Sequence, residues 1–162
     1  MPVFLTVISL RTTMTLRAKE RPAANPKTKF ILFHGGYPWV GESGALATRH
    51  KIVWIDSVWL PTISYTMGKR AYQEWLEVVP SNRIMCGADA RHAEGIYAAT
   101  ETTRRCLAEA LAEKVERGEL REDHALQIGR QIMRDNALKL FPLLRERLWK
   151  HKGVKLKPAE QP

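Results

Sequence analysis

The chain has 162 residues, of which 44% are hydrophobic, and it contains five tryptophans. This composition excludes a disordered protein and indicates one globular domain, although a closed eight-stranded α/β barrel typically needs about 250 residues. The net charge of +9 comes from residues 1–29 and 145–162, whereas residues 30–144 carry equal numbers of basic and acidic side chains. A nucleic-acid-binding domain usually carries its basic residues on the folded surface, so we expect no nucleic-acid partner.

Three zones divide the chain. We interpret residues 1–29 as a leader of uncertain order, residues 30–149 as the folded domain and residues 150–162 as a basic tail. The two cysteines, Cys86 and Cys106, are too few for a disulfide framework, which is typical of a protein in the reducing cytoplasm. No apolar run reaches the roughly 18 residues that a membrane span requires, so we expect no membrane association.

Short apolar runs alternate with helical patterns along the middle of the chain. In chain order, the predicted elements are a strand at 30–33, a helix at 40–50, a strand at 52–55, a helix at 67–79, a strand at 83–86, a helical stretch at 90–117, a helix at 122–141 and a short amphipathic helix at 143–149. The apolar face of the helical stretch at 90–117 consists of Ile96, Ala99, Leu107, Ala110 and Leu111. Continuously apolar strands that are each followed by a helix indicate a parallel sheet, and so an α/β fold.

Each predicted strand is followed by a residue with useful chemistry, namely His34, Asp56 and Asp89. The carboxyl ends of parallel strands meet at one edge of a sheet, where α/β proteins build their sites. A structural role is the alternative for each residue, since histidine can bond to a turn and aspartate can cap a helix. For Asp56, which precedes Ser57, we favour the structural role, whereas we favour a functional role for His34 and Asp89.

Four segments in this order resemble the amidohydrolase-related barrel enzymes, and in particular the amidohydrolase-like domain attached to some glutamine-synthetase-type proteins. The segments are FILFHGGYPWVGESGALA, KIVWIDSVWLP, PSNRIMCGADARHAEG and GRQIMRDNALKLF, and the resemblance covers about residues 27–148. The resemblance implies a partial (β/α)8 TIM barrel that consists of the last three strands and the C-terminal helices.

The resemblance also implies chemistry. Enzymes of this kind use a divalent metal, often zinc, to activate the water that hydrolyses a small-molecule substrate. Asp89 matches the aspartate after the last barrel strand, a metal ligand and proton acceptor, and His34 matches a histidine that is catalytic or near the metal. Arg91 and His92 follow the last strand, where such enzymes hold their substrate. Tyr37 and Trp39 either line the pocket or pack in the core, and we slightly favour packing.

The sequence departs from this family in one important respect. It contains no His-x-His pair, and residues 1–29 contain no histidine, whereas a catalytic zinc usually has three protein ligands. The first hypothesis is therefore a metal-dependent hydrolase whose site is incomplete in this chain. The alternatives are a non-catalytic remnant or interaction module that self-associates through an open sheet edge, and a binder of anionic surfaces that uses the basic ends.

Overall fold

The computed structural model describes residues 28–152, with side chains up to residue 148. Almost all of the predicted leader and most of the predicted tail lie outside the described residues. Within them, three short strands form one sheet: β1 (Phe30–Leu32), β2 (Val53–Asp56) and β3 (Ile84–Met85). The strands are parallel and neighbour one another in chain order, which confirms the predicted α/β fold.

The helices follow the strands much as the apolar spacings predicted. They are α1 (Val40–Arg49), α2 (Leu60–Ile63), α3 (Tyr65–Val78), α4 (Ala93–Glu116), α5 (Glu122–Arg130), α6 (Asn136–Leu140) and α7 (Pro142–Lys152), with a π-helical segment, Gln131–Asp135, between α5 and α6. The short helix α2 was not predicted, because one turn carries too little periodicity to detect. None of the helices in residues 28–152 is long and apolar enough to cross a membrane.

The strands bury both of their faces. Phe30, Leu32, Val53, Ile55 and Ile84 belong to the main core, which also contains Trp75 and Leu107 from the helices. Ile31, Trp54 and Met85 form a second cluster with Leu140 on the opposite face. Burial on both faces explains why the strands read as unbroken apolar runs in the sequence.

Two predictions about apolar faces were wrong in part. Ile96 was assigned to the buried face of its helix, but it lies in the first turn of α4 and is 49% exposed, whereas Ala99 and Leu107 are buried as predicted. In α7, Leu143, Leu144 and Leu148 are exposed, so this helix does not bury the amphipathic face that its sequence predicted. The spacing of apolar residues identifies a helical face, but only the neighbouring elements decide how far along the helix that face is covered.

Candidate active site at the carboxyl ends of the strands

His34 lies two residues beyond β1, in a tight turn over Phe33–Gly36. Its backbone has a φ of 60°, and Gly35 and Gly36 also have positive φ. A side chain at Gly35 would collide with the ring of Trp75, and one at Gly36 would collide with Ser43. The two glycines therefore let the turn pack closely against the core.

The imidazole of His34 is partly buried, and its Nδ1 lies 3.3 Å from the backbone oxygen of Val58. A carbonyl oxygen only accepts hydrogen bonds, so this contact requires a proton on Nδ1. In the neutral ring, Nε2 then keeps its lone pair free. The turn after β2 thus orients the His34 ring and leaves one nitrogen available to accept a proton or to bind a ligand.

Asp56 ends β2, the central strand, on the same face as Trp54 because side chains alternate along a strand. Its Oδ1 accepts a hydrogen bond of 2.9 Å from the backbone N–H of Val58. Burial raises the pKa of this carboxyl to about 6, the Val58 N–H and the nearby His34 lower it, and the charge of Asp89 raises it further. Asp56 therefore interacts electrostatically with both of the residues that the sequence selected as the site.

The structural role that we favoured for Asp56 agrees with its contact in the turn after β2. The hydrogen bond to Val58 is a local turn contact of the kind that we expected, but the raised pKa also makes Asp56 a candidate proton-transfer group. The sequence contained one signal that favoured this second role, namely the position of Asp56 at the end of the middle strand of three.

Asp89 and Trp59 complete the group. Asp89 is exposed and has a φ of 45°, and Trp59, three residues beyond β2, has a φ of 65°. The indole Nε1 of Trp59 donates a hydrogen bond of 3.1 Å to the backbone oxygen of Asp89, and its ring lies 5.4 Å from the His34 ring between centroids. Trp59 therefore connects the ends of β1 and β3, a role that the sequence analysis missed.

Three non-glycine residues with positive φ occur in the described part of the chain, and all three lie in this group: His34, Trp59 and Asp89. A positive φ is uncommon for residues other than glycine, and it is unfavourable for a side chain as large as tryptophan. Such conformations concentrate at functional sites, where the surrounding structure enforces them. The backbone strain and the electrostatic coupling therefore indicate the same location.

The other predicted site residues are placed differently. Tyr37 is partly buried and packs against the main core, whereas Trp39 is 41% exposed, so the packing role that we favoured for both residues fits Tyr37 and not Trp39. Arg91 and His92 lie exposed in the loop after β3. The Nδ1 of His92 accepts a hydrogen bond of 3.1 Å from the backbone N–H of Gly95, so His92 caps the start of α4. Cap formation gives His92 a structural role that its sequence position did not reveal.

The geometry does not fit the three-ligand metal centre that the resemblance implies. Within the described residues, no group of three or more His, Cys, Asp or Glu side chains is arranged so that it could hold a metal ion. His34 and Asp89 offer two donor groups, and the Nδ1 of His92 is engaged by Gly95. The metal-ligand roles of His34 and Asp89 consequently stay predictions.

Comparison with known proteins identifies the family. The amidohydrolase family matches residues 2–143, a range that includes most of the predicted leader. Protein fluG from Emericella nidulans is 28% identical over 123 residues, which cover 75% of this chain. The chain spans only 14% of the length of that relative. No solved structure gives a significant match. The family match, which covers residues 2–143 of the 162, shows that this chain belongs to the amidohydrolase family.

Proposed function

We propose that this chain carries part of the active site of a hydrolase that cleaves C–N or related bonds in a small molecule. The observation that carries the proposal is the convergence of His34, Asp56 and Asp89 at the carboxyl ends of three parallel strands, with the pKa of Asp56 raised to about 6. The family match supports a hydrolase-type function in general.

In the proposed reaction, a water molecule attacks the carbonyl carbon of an amide. Asp89, which is exposed at the end of β3, takes a proton from this water and returns it to the leaving nitrogen as the C–N bond breaks. With a proton on Nδ1 bonded to the Val58 oxygen, the His34 ring can accept a hydrogen bond from the attacking water through Nε2. No step passes through a metal ion, since the described side chains do not form a metal centre.

We further propose that the three strands are the last three of a (β/α)8 barrel. Their order, β1-β2-β3, is sequential and parallel, and helices separate the strands along the chain. A barrel keeps this sequential order all around, whereas a doubly wound sheet reverses it at a switch point. The location of His34, Asp56 and Asp89 at the carboxyl ends also matches the side on which barrels place their sites.

The test is hydrolysis of a panel of simple amides and esters by the purified chain, with and without added zinc, together with the variants His34→Asn and Asp89→Asn. Asparagine tolerates positive φ and so suits both positions. Because a positioned acid–base group typically contributes about 100-fold or more, we expect each variant to lose at least roughly that factor. His124→Asn and Asp123→Asn, which change exposed residues of α5, are the matched controls and should keep the wild-type rate. Equal rates in all five proteins would contradict the proposed site.

A specific observation favours a second candidate function, that of a non-catalytic interaction module. The described residues lack a three-ligand metal cluster. The same experiment separates the two candidates when the metal content of each sample is also measured. Two results together would favour the module over the hydrolase. The folded wild-type protein would hydrolyse none of the substrates, and it would bind no zinc that is lost in the His34 or Asp89 variant.

A further inference from the structure

Trp59 combines features that core packing does not explain. Trp59 is 47% exposed, although its position is fixed by contacts of the side chain and by the conformation of the backbone. The Nε1–H is bonded to the Asp89 backbone, the ring lies against His34, and the backbone has a φ of 65°. A large apolar side chain that is fixed in a strained conformation and still exposed presents a rigid flat surface to solvent.

The surroundings of this surface indicate what it contacts. One edge of the indole is bonded to the residue that we propose as the proton acceptor, Asp89, and its ring neighbours the imidazole of His34. A molecule lying on the exposed part of the Trp59 indole would therefore lie beside the two residues that hold the indole in place. The exposed face is apolar and aromatic, so it favours a flat ring that can stack over a saturated ring, which is puckered.

We propose that the exposed face of the Trp59 indole is the substrate-binding surface of this site and that it binds a flat, unsaturated ring next to the bond to be cleaved. The substrates would then be amides or esters of aromatic or other planar ring acids. This inference rests on the proposed hydrolase function, because the bound molecule is a substrate only if the site hydrolyses it. The binding of a planar ring at Trp59 is measured without any turnover.

The first measurement uses benzamide as the probe and cyclohexanecarboxamide as its saturated counterpart. Binding to the full chain is followed by the shift of the indole N–H signals in two-dimensional NMR, where loss of one signal in a Trp59 variant assigns that residue. Stacked aromatic pairs contribute about 0.5–1.5 kcal/mol beyond buried area, which corresponds to about 2- to 12-fold in affinity. We expect benzamide to bind more tightly than cyclohexanecarboxamide within that range, and to shift the Trp59 signal most. Equal binding of the two amides would overturn the inference.

The second measurement compares Trp59→Phe and Trp59→Asn. Phenylalanine keeps a flat face and loses the N–H donor, whereas asparagine tolerates the positive φ and removes the flat face. We expect the Phe variant to bind benzamide within about threefold of the wild type and the Asn variant to lose the preference for the planar ring. Tyr97→Asn, which removes another exposed aromatic side chain, is the control and should keep that preference. An equal loss in the Phe and Asn variants would assign the effect to the hydrogen bond with Asp89 and overturn the inference.

Failure of this inference is distinguishable from failure of the proposed hydrolase. Benzamide binding that depends on Trp59, without hydrolysis of any amide, would support the planar-ring surface and contradict the hydrolase. Hydrolysis that depends on His34 and Asp89, with benzamide binding that is indifferent to Trp59→Asn, would support the hydrolase and overturn the planar-ring surface.

Discussion

At the scale of single residues, Asp56 shows how burial changes the chemistry of a common side chain. Its carboxyl accepts a hydrogen bond from Val58 at 2.9 Å, which favours the charged form, yet its pKa is raised to about 6. The cost of removing the charged form from water therefore exceeds the benefit of the hydrogen bond. This balance keeps a fraction of Asp56 protonated near neutral pH, where proton transfer is most useful.

The raised pKa predicts how stability depends on pH. Because the folded protein holds the Asp56 proton more tightly than the unfolded chain, this residue stabilises the fold fully below pH about 4 and loses that contribution as the pH rises through about 6. A shift of about two pKa units corresponds to about 3 kcal/mol. Asparagine does not titrate, so the Asp56→Asn variant should not lose stability in this way. Its free energy of unfolding should therefore rise relative to that of the wild type as the pH increases from about 4 to about 6.

Chemical denaturation at a series of pH values measures this effect. The control is Asp123→Asn, which removes an exposed carboxyl of α5 instead of the partly buried one. Parallel curves of unfolding free energy against pH for the wild type and Asp56→Asn would contradict the prediction.

At the scale of elements, one side chain of α6 forms hydrogen bonds at the outer edge of β3. The backbone oxygen of Met85 accepts a hydrogen bond from Ser57, beyond β2, so the oxygen of Ile84 points away from β2. The amide of Asn136 donates to this Ile84 oxygen at 2.8 Å and to the Ser81 oxygen at 2.7 Å. Asn136 thus bonds to one carbonyl group of the edge strand and to one in the turn before it, and fixes the C-terminal helices against the sheet.

Replacement of this asparagine should be costly. Asn136 is 3% exposed, so Asn136→Ala would leave the buried Ile84 oxygen without this donor, whereas the Ser81 oxygen keeps its hydrogen bond from the Ile84 N–H. A buried acceptor that loses its donor typically costs about 1–3 kcal/mol, and we expect a loss in that range in the free energy of unfolding. Asn82→Ala, at an exposed asparagine of the neighbouring turn, is the matched control. Similar stabilities of the two variants in urea denaturation would show that the contact is not important.

At the scale of the whole molecule, the sheet has two different edges. The outer edge of β3 is covered at Ile84 by Asn136, whereas β1 pairs with β2 alone among the described residues. The amide of Phe30 bonds to Ile52, so the amide of Ile31 points away from β2. An edge that presents such groups is able to pair with another chain.

We propose that two copies of the chain associate through the β1 edge. The expected result is a sedimentation coefficient that rises with protein concentration, together with slower hydrogen exchange of the Ile31 amide at high concentration than at low concentration. The Ile55 amide, in the central strand, is the internal control, because its exchange should not depend on association. A monomer at every concentration would contradict the proposal.

The sequence by itself determined the parallel α/β arrangement and the positions of all three strands, and it placed His34 and Asp89 just beyond the ends of two of them. These features depend on apolar runs, turn residues and strand ends, which are local properties of the chain. It also carried the four segments that identify the family, and the family match confirms that identification.

Only the tertiary structure decided the other features of the site. The raised pKa of Asp56, the bridge of Trp59 from His34 to Asp89 and the cover that Asn136 provides for β3 all join residues that are far apart in the chain. Burial and strain at such positions depend on which elements pack together, so no pattern of neighbouring residues predicts them. Exposure of Ile96 has the same origin, since the helix face continues beyond the elements that cover it.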